Sequence, residues 1–110
     1  MKSIEITKEL VNGFCSLVND PNPIHKGDKA IAPGMLVASL LTSDHTTKAI
    51  IRSVDIKFSL PIYVGERVDI EEQVVDTRSV GNGNLYTIQY TFRVSGERRQ
   101  VATMKVYNAV

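Results

Sequence analysis

From residue 50 onward the apolar residues of this chain recur at every second position, and that period confines the second half to β-structure. Val54, Ile56, Phe58 and Leu60 alternate with Asp55, Lys57 and Ser59. Val68, Ile70 and Val74 share one face of the next run, with Glu72 as the exception. Tyr86, Ile88, Tyr90, Phe92 and Val94 form the cleanest stripe, and Ala102, Met104 and Val106 form another. Successive side chains of a strand point to opposite faces, so each stripe predicts a half-buried strand. Gly81-Asn82-Gly83-Asn84 and Ser95-Gly96 stand between consecutive stripes. Both are hairpin signals, and they make the strands they join antiparallel. Pro61 and Gly65 mark the connection that precedes these hairpins.

The first half has a different period. Residues 2–6 alternate briefly and predict a short strand. Thr7 then caps a helix, because its hydroxyl can accept from a free N–H of the first turn, where Glu9 also suits the helix dipole. Leu10, Val11, Phe14, Leu17 and Val18 follow at helical spacing and predict one apolar face. Cys15 reads as a small packed residue of that helix. Asn19-Asp20-Pro21-Asn22-Pro23 must end it, since proline disfavours the helical region at the residue before it. After a loop from Ile24 to Ala32, Pro33-Gly34 opens a second helix from Met35 to about Thr46. Its start is apolar nearly all round, which predicts a buried helix. A sheet of four or five antiparallel strands has one face to bury, and this helix is its natural partner. The predicted fold is therefore α+β: one domain over residues 1–110, with an antiparallel sheet wrapped around a central helix.

Composition narrows the classes of function. A chain of 110 residues buries only about two-thirds of its unfolded surface, so part of the core is expected to come from a partner subunit. Lys and Arg number 13 against 12 Asp and Glu, which excludes nucleic-acid binding by a broadly basic surface. Cys15 is the only cysteine, so no intrachain disulfide and no cysteine-rich zinc site can form. No apolar run follows the first lysine, and nowhere are there about eighteen consecutive apolar residues to span a membrane. A reducing, cytoplasmic setting is expected. The two histidines, His25 and His45, make no recognisable metal motif.

Two short segments carry chemistry. In Asp20-Pro-Asn-Pro-Ile-His25 a carboxylate and an imidazole sit five residues apart on a loop stiffened by two prolines. Such a pair suits water activation: the carboxylate takes a proton and the imidazole orients the water or passes a proton on. The plain alternative is an Asx turn at Asp20 beside a solvated His25. In Pro33-Gly34-Met35-Leu36 the glycine heads a helix, where its N–H has no partner within the helix. That N–H can bind an oxygen that gains negative charge, such as a thioester carbonyl becoming an enolate. The plain alternative is close packing at the start of the helix. Arg93, Arg98, Arg99 and Lys105 read as solvated charges of the last hairpin, with the phosphates of a ligand as the alternative contact.

Taken together these segments resemble the MaoC-like (R)-specific enoyl-CoA hydratases. Asn19-Asp-Pro-Asn-Pro-Ile-His25 is close to that family's hydratase motif, and Pro33-Gly34-Met35-Leu36 follows it in order. Phe58-Ser-Leu-Pro-Ile-Tyr-Val-Gly-Glu-Arg67 resembles the family's strand and turn of the form F-x-x-P-hydrophobic-x-x-G-D/E. The resemblance runs from about Ile4 to Val106. It departs from the family between His25 and Gly34, where a longer segment is usual.

The resemblance implies a hot-dog fold that assembles as a homodimer with joined sheets. It implies hydration of a trans-2-enoyl-CoA or acyl-carrier-protein thioester to the (3R)-3-hydroxyacyl thioester, and the reverse dehydration. Asp20 and His25 would hold the water, and the Gly34 N–H would bind the thioester oxygen. Substrate contacts are expected at Asn22, Met35, Ser39 and Thr42; the resemblance matches the family's supporting hydroxyl to Thr42, eight positions beyond Gly34, with Ser39 as the alternative on the same helix. Coenzyme A enters as part of the substrate; no metal or other cofactor is implied. A thioesterase on the same fold, and a binding module or partner subunit without catalysis, are the alternatives.

Overall fold

The computed structural model of the chain describes residues 2–27, 29–41 and 49–109. Strand β1 (Lys2–Glu5) leads into helix α1 (Lys8–Val18), and helix α2 (Gly34–Ala38) precedes the strands β2 (Ile50–Phe58), β3 (Arg67–Val80), β4 (Gly83–Val94) and β5 (Glu97–Ala109). The five strands form one antiparallel sheet in the order β1-β3-β4-β5-β2. The two predicted hairpins are present, each with a two-residue loop. Gly81 has φ 57°, and Ser95 and Gly96 have φ 50° and 83°. Positive φ at these positions gives the turn a twist that matches the flanking strands.

The stripes read from the sequence fill the core unevenly. Ile88, Tyr90, Phe92 and Val94 of β4 and Ala102, Met104 and Val106 of β5 are buried on one face. Val68 and Ile70 of β3 join them. Leu36 and Val37 of α2 and Val11 and Cys15 of α1 close the same core. This is a hot-dog fold, a sheet curled about a helix. Among the described residues no helix is long and apolar enough to cross a membrane.

Three expectations need correction. The apolar stripe of β2 is only partly covered: Ile56 packs against the core, but Val54 is 45% and Phe58 53% exposed, because β2 is an edge strand and is not covered like β4 and β5. On β3, exposure begins at Glu71, and Val74, Val75 and Val80 are all exposed, so only the first part of that strand reaches the core. On α1, Val11 and Cys15 are buried while Leu17 is 84% exposed, so the buried face is narrower than the spacing predicted. The central helix is α-helical over Gly34–Ala38 and continues as a 3-10 turn, Ser39–Leu41. Its expected continuation to Thr46 lies outside the described residues, as do Thr42 and His45.

Arg99 is not the solvated charge expected. From β5 it ties down the connection between β2 and β3. Its Nη1 donates to the Pro61 carbonyl at 2.6 Å, and Nη1 and Nη2 donate to the two oxygens of Glu66, each at 3.1 Å. Its Nε donates to Glu97 Oε1 at 2.6 Å. Partial burial opposes the charge, but the Glu66 and Glu97 carboxylates outweigh it and hold the guanidinium pKa above its ordinary value. Glu66 Oε1 also accepts from the Tyr63 N–H at 2.7 Å. Arg99→Ala should lower stability by about 2 kcal/mol, the scale for hydrogen bonds to charged groups. Arg99→Lys should recover only part, because an ammonium cannot make the paired contact. Urea midpoints check both; an Arg99→Ala midpoint equal to wild type would remove this knot from the energetics.

Candidate active site

The site begins where α1 ends. Asn19 takes the left-handed conformation, φ 57° and ψ 49°, and its N–H donates to the Cys15 and Ser16 carbonyls. Asparagine tolerates this conformation well, which makes it a natural helix terminator. The chain then turns on its own side chains. Asp20 Oδ1 accepts from the Asn22 N–H at 3.0 Å, and Asn22 Oδ1 accepts from the Ile24 N–H at 3.2 Å. Asn22 thereby caps a 3-10 turn, Pro23–His25.

His25 is 9% exposed. Its Nδ1 lies 2.6 Å from the Ile31 carbonyl oxygen. A carbonyl only accepts, so Nδ1 carries the hydrogen, and Nε2 of the neutral ring is a bare acceptor. Nε2 faces Asp20 Oδ2 at 3.6 Å, too far for a good direct hydrogen bond. Two acceptors at this separation are suited to share one donor such as water.

Residues Ala30, Ile31 and Ala32, ahead of Gly34, are held by backbone hydrogen bonds. The Ile31 N–H donates to the Ile24 carbonyl at 2.8 Å, the Ala32 N–H to Ile62 at 2.6 Å, and the Val64 N–H to Ala30 at 2.9 Å. Ile31 also forms an isolated antiparallel bridge with Tyr63. The connection that Arg99 holds therefore sets the carbonyl that orients His25. The nine positions from His25 to Gly34 are enough to bring both residues to one cavity.

That cavity has a volume of about 580 Å³. Asp20, His25, Gly34, Met35 and Ser39 line it, with Pro33 and with Phe14 and Val18 of α1. Gly34 heads α2 and is approached closely: a Cβ there would lie 2.6 Å from Phe58 Cε1. Met35 is 62% exposed, against the expectation of a helix buried all round, because it faces this cavity. The Ser39 hydroxyl donates to the Leu36 carbonyl at 2.6 Å and keeps its lone pairs. Asn22 is not among the lining residues; its side-chain oxygen serves the backbone. Among the described residues no group of three His, Cys, Asp or Glu side chains is placed to hold a metal ion.

The sequence pattern does not single out Phe14, Val18, Phe58 or Gln100 as site residues. Phe14 and Val18 read as core positions of α1, and Phe58 as part of a strand motif. Gln100 interrupts the apolar parity of β5 two residues before Ala102, which is the one local signal that marks it.

No family model matches the chain. It is 34% identical over 84 residues to the mitochondrial 3-hydroxyacyl-[acyl-carrier-protein] dehydratase FERN of Solanum lycopersicum, covering 66% of this chain and 51% of that protein. The chain thus spans about half the length of this curated relative. The solved (R)-hydratase from A. caviae involved in PHA biosynthesis superposes with a TM-score of 0.85 at 22% identity, covering 99% of this chain and 92% of that one. The MaoC-like dehydratase from Rhodospirillum rubrum superposes with a TM-score of 0.83 at 16% identity, covering 98% and 87%. With this sheet order around α2 and these superpositions, the chain is a hot-dog-fold protein, similar in structure to the solved (R)-hydratase and MaoC-like dehydratase.

Proposed function

We propose that this chain, as one hot-dog domain, hydrates trans-2-enoyl thioesters to (3R)-3-hydroxyacyl thioesters and runs the reverse dehydration. The observation that carries the reading is the facing of Asp20 Oδ2 and His25 Nε2, 3.6 Å apart beside Gly34. A water donating to both would present its oxygen lone pair to the cavity. Asp20 takes one proton as that oxygen bonds to C3. The C2=C3 electron pair moves toward the thioester oxygen, which the Gly34 N–H receives as the enolate forms. The proton returns to C2 from the Asp20–His25 pair, so one water is added across the double bond. The thioester is carried by coenzyme A or an acyl carrier protein.

Loss of the ultraviolet absorbance of crotonyl-CoA, with formation of the (3R) product, tests the reading. Release of free thiol would instead mark a thioesterase, and binding without turnover a non-catalytic module. A cytoplasmic location stays part of the proposal, in keeping with the buried, unpaired thiol of Cys15.

The proposal includes a homodimer formed through β2. This strand ends the sheet, and Ile50, Ile51 and Val54 are 60%, 49% and 45% exposed on it. An edge with open backbone groups and apolar side chains is a template for another strand, and a second copy supplies one. Val54→Lys should convert the dimer to a monomer in sedimentation, since a lysine blocks edge pairing. A wild-type monomer at assay concentrations would rule this pairing out.

A further inference from the structure

A second cavity, of about 420 Å³, shares His25, Gly34 and Met35 with the first. Its remaining lining is almost wholly apolar, with Ile31, Val37, Leu60 and Ile62 among it. The polar exceptions are Ser59, which is exposed, and Gln100, which is 3% exposed. Gln100 pairs with Phe58 on one side and Phe92 on the other, so an amide lies in one rung between two aromatic residues. Its Nε2 is buried and has no hydrogen-bond partner, alone in this among the described side chains.

A buried amide without an acceptor weakens a fold, and a leucine or methionine would fill the same place without that cost. A donor kept beside a cavity is explained if the ligand brings the acceptor. We propose that Gln100 is a specificity residue: the second cavity takes the acyl chain, and the amide donates to an oxygen carried on that chain beyond the reacting carbons. The preferred acyl group then bears a hydroxyl or oxo substituent. The inference rests on the thioester reading above. The acyl end is favoured over the coenzyme end because this lining offers no cation for phosphate. A plain alkyl chain would fill the cavity and leave the amide unpaired, and sites built around a buried donor reject such analogues strongly.

The test compares trans-2-hexenoyl-CoA with its terminally hydroxylated counterpart, and a longer pair of the same kind, in wild type and Gln100→Met. Wild type should favour an oxygenated chain at least tenfold in kcat/KM. Gln100→Met should reverse the order and melt no lower than wild type. The same ranking is measured as binding of the saturated acyl-CoA pairs, which needs no turnover and, for wild type, no variant. Equal treatment of alkyl and oxygenated chains by wild type overturns the inference, as does a preference that Gln100→Met leaves unchanged. Ranked binding without turnover would support the Gln100 subsite while removing the hydratase reading. Binding of none of these ligands overturns both.

Discussion

Asp20→Asn should lower crotonyl-CoA hydration by about 10²–10⁴-fold, the range for loss of a general base, while the melting temperature stays close to wild type. The two halves of this expectation have separate causes. Asparagine keeps the Oδ1 that accepts from the Asn22 N–H at 3.0 Å, so the turn after α1 survives. It replaces the oxygen that faces His25 Nε2 with an amide nitrogen, which cannot take a proton from water. That nitrogen can also donate to Nε2 and fill the place where the water would bind. Steady-state rates and a thermal melt on the same preparation check both halves. Full activity would remove Asp20 from the mechanism; a collapsed melt would place its main role in the fold.

Gly34→Ala is the second large effect, with an expected loss of about 10²-fold in kcat/KM, the scale for displacing a reacting group by about an ångström. The added Cβ would meet three atoms of the Phe58 ring, at 2.6 Å from Cε1 and 2.9 Å from Cδ1 and Cζ. Phe58 is 53% exposed, so its ring has room to swing outward and the domain should still fold. What changes is the wall that Phe58 makes against Gly34 in the second cavity, and with it the place proposed for the acyl group. Phe58→Leu in the same chain removes the ring, and the double variant should regain at least tenfold. If it regains nothing, the loss belongs to the Gly34 backbone rather than to its contact with Phe58.

The features legible in the sequence were local ones. Thr7 has the residue type and position of a helix cap, and its hydroxyl accepts from the Leu10 N–H at 3.1 Å. The Ser95-Gly96 and Gly81 turns are legible through their glycines, which adopt positive φ readily and do so here. Asp20 and His25 were marked by a proline-stiffened spacing, and that turn is built from bonds spanning two or three residues. Exposure was less legible. Val54 and Phe58 alternate as well as Tyr90 and Phe92, yet the first pair is open and the second buried. The period tells which residues share a face. Only the strand order, which puts β2 at the edge and β4 in the interior, tells which face is covered.

By itself, then, the sequence determined what short-range chemistry decides: strand period, turn positions, helix cap and the acid–imidazole loop. The tertiary structure alone decided what depends on distant segments meeting. His25 takes its tautomer from the Ile31 carbonyl, in a segment clamped to Ile62 and Val64 across the fold. Arg99 ceases to be a surface charge because Glu66 and Pro61 arrive from a different connection. Gln100 becomes a buried donor because β2 and β4 bring Phe58 and Phe92 to either side of it. Each of these partners lies six or more positions away along the chain, beyond the reach of any local pattern, and only packing of the sheet brings most of them together.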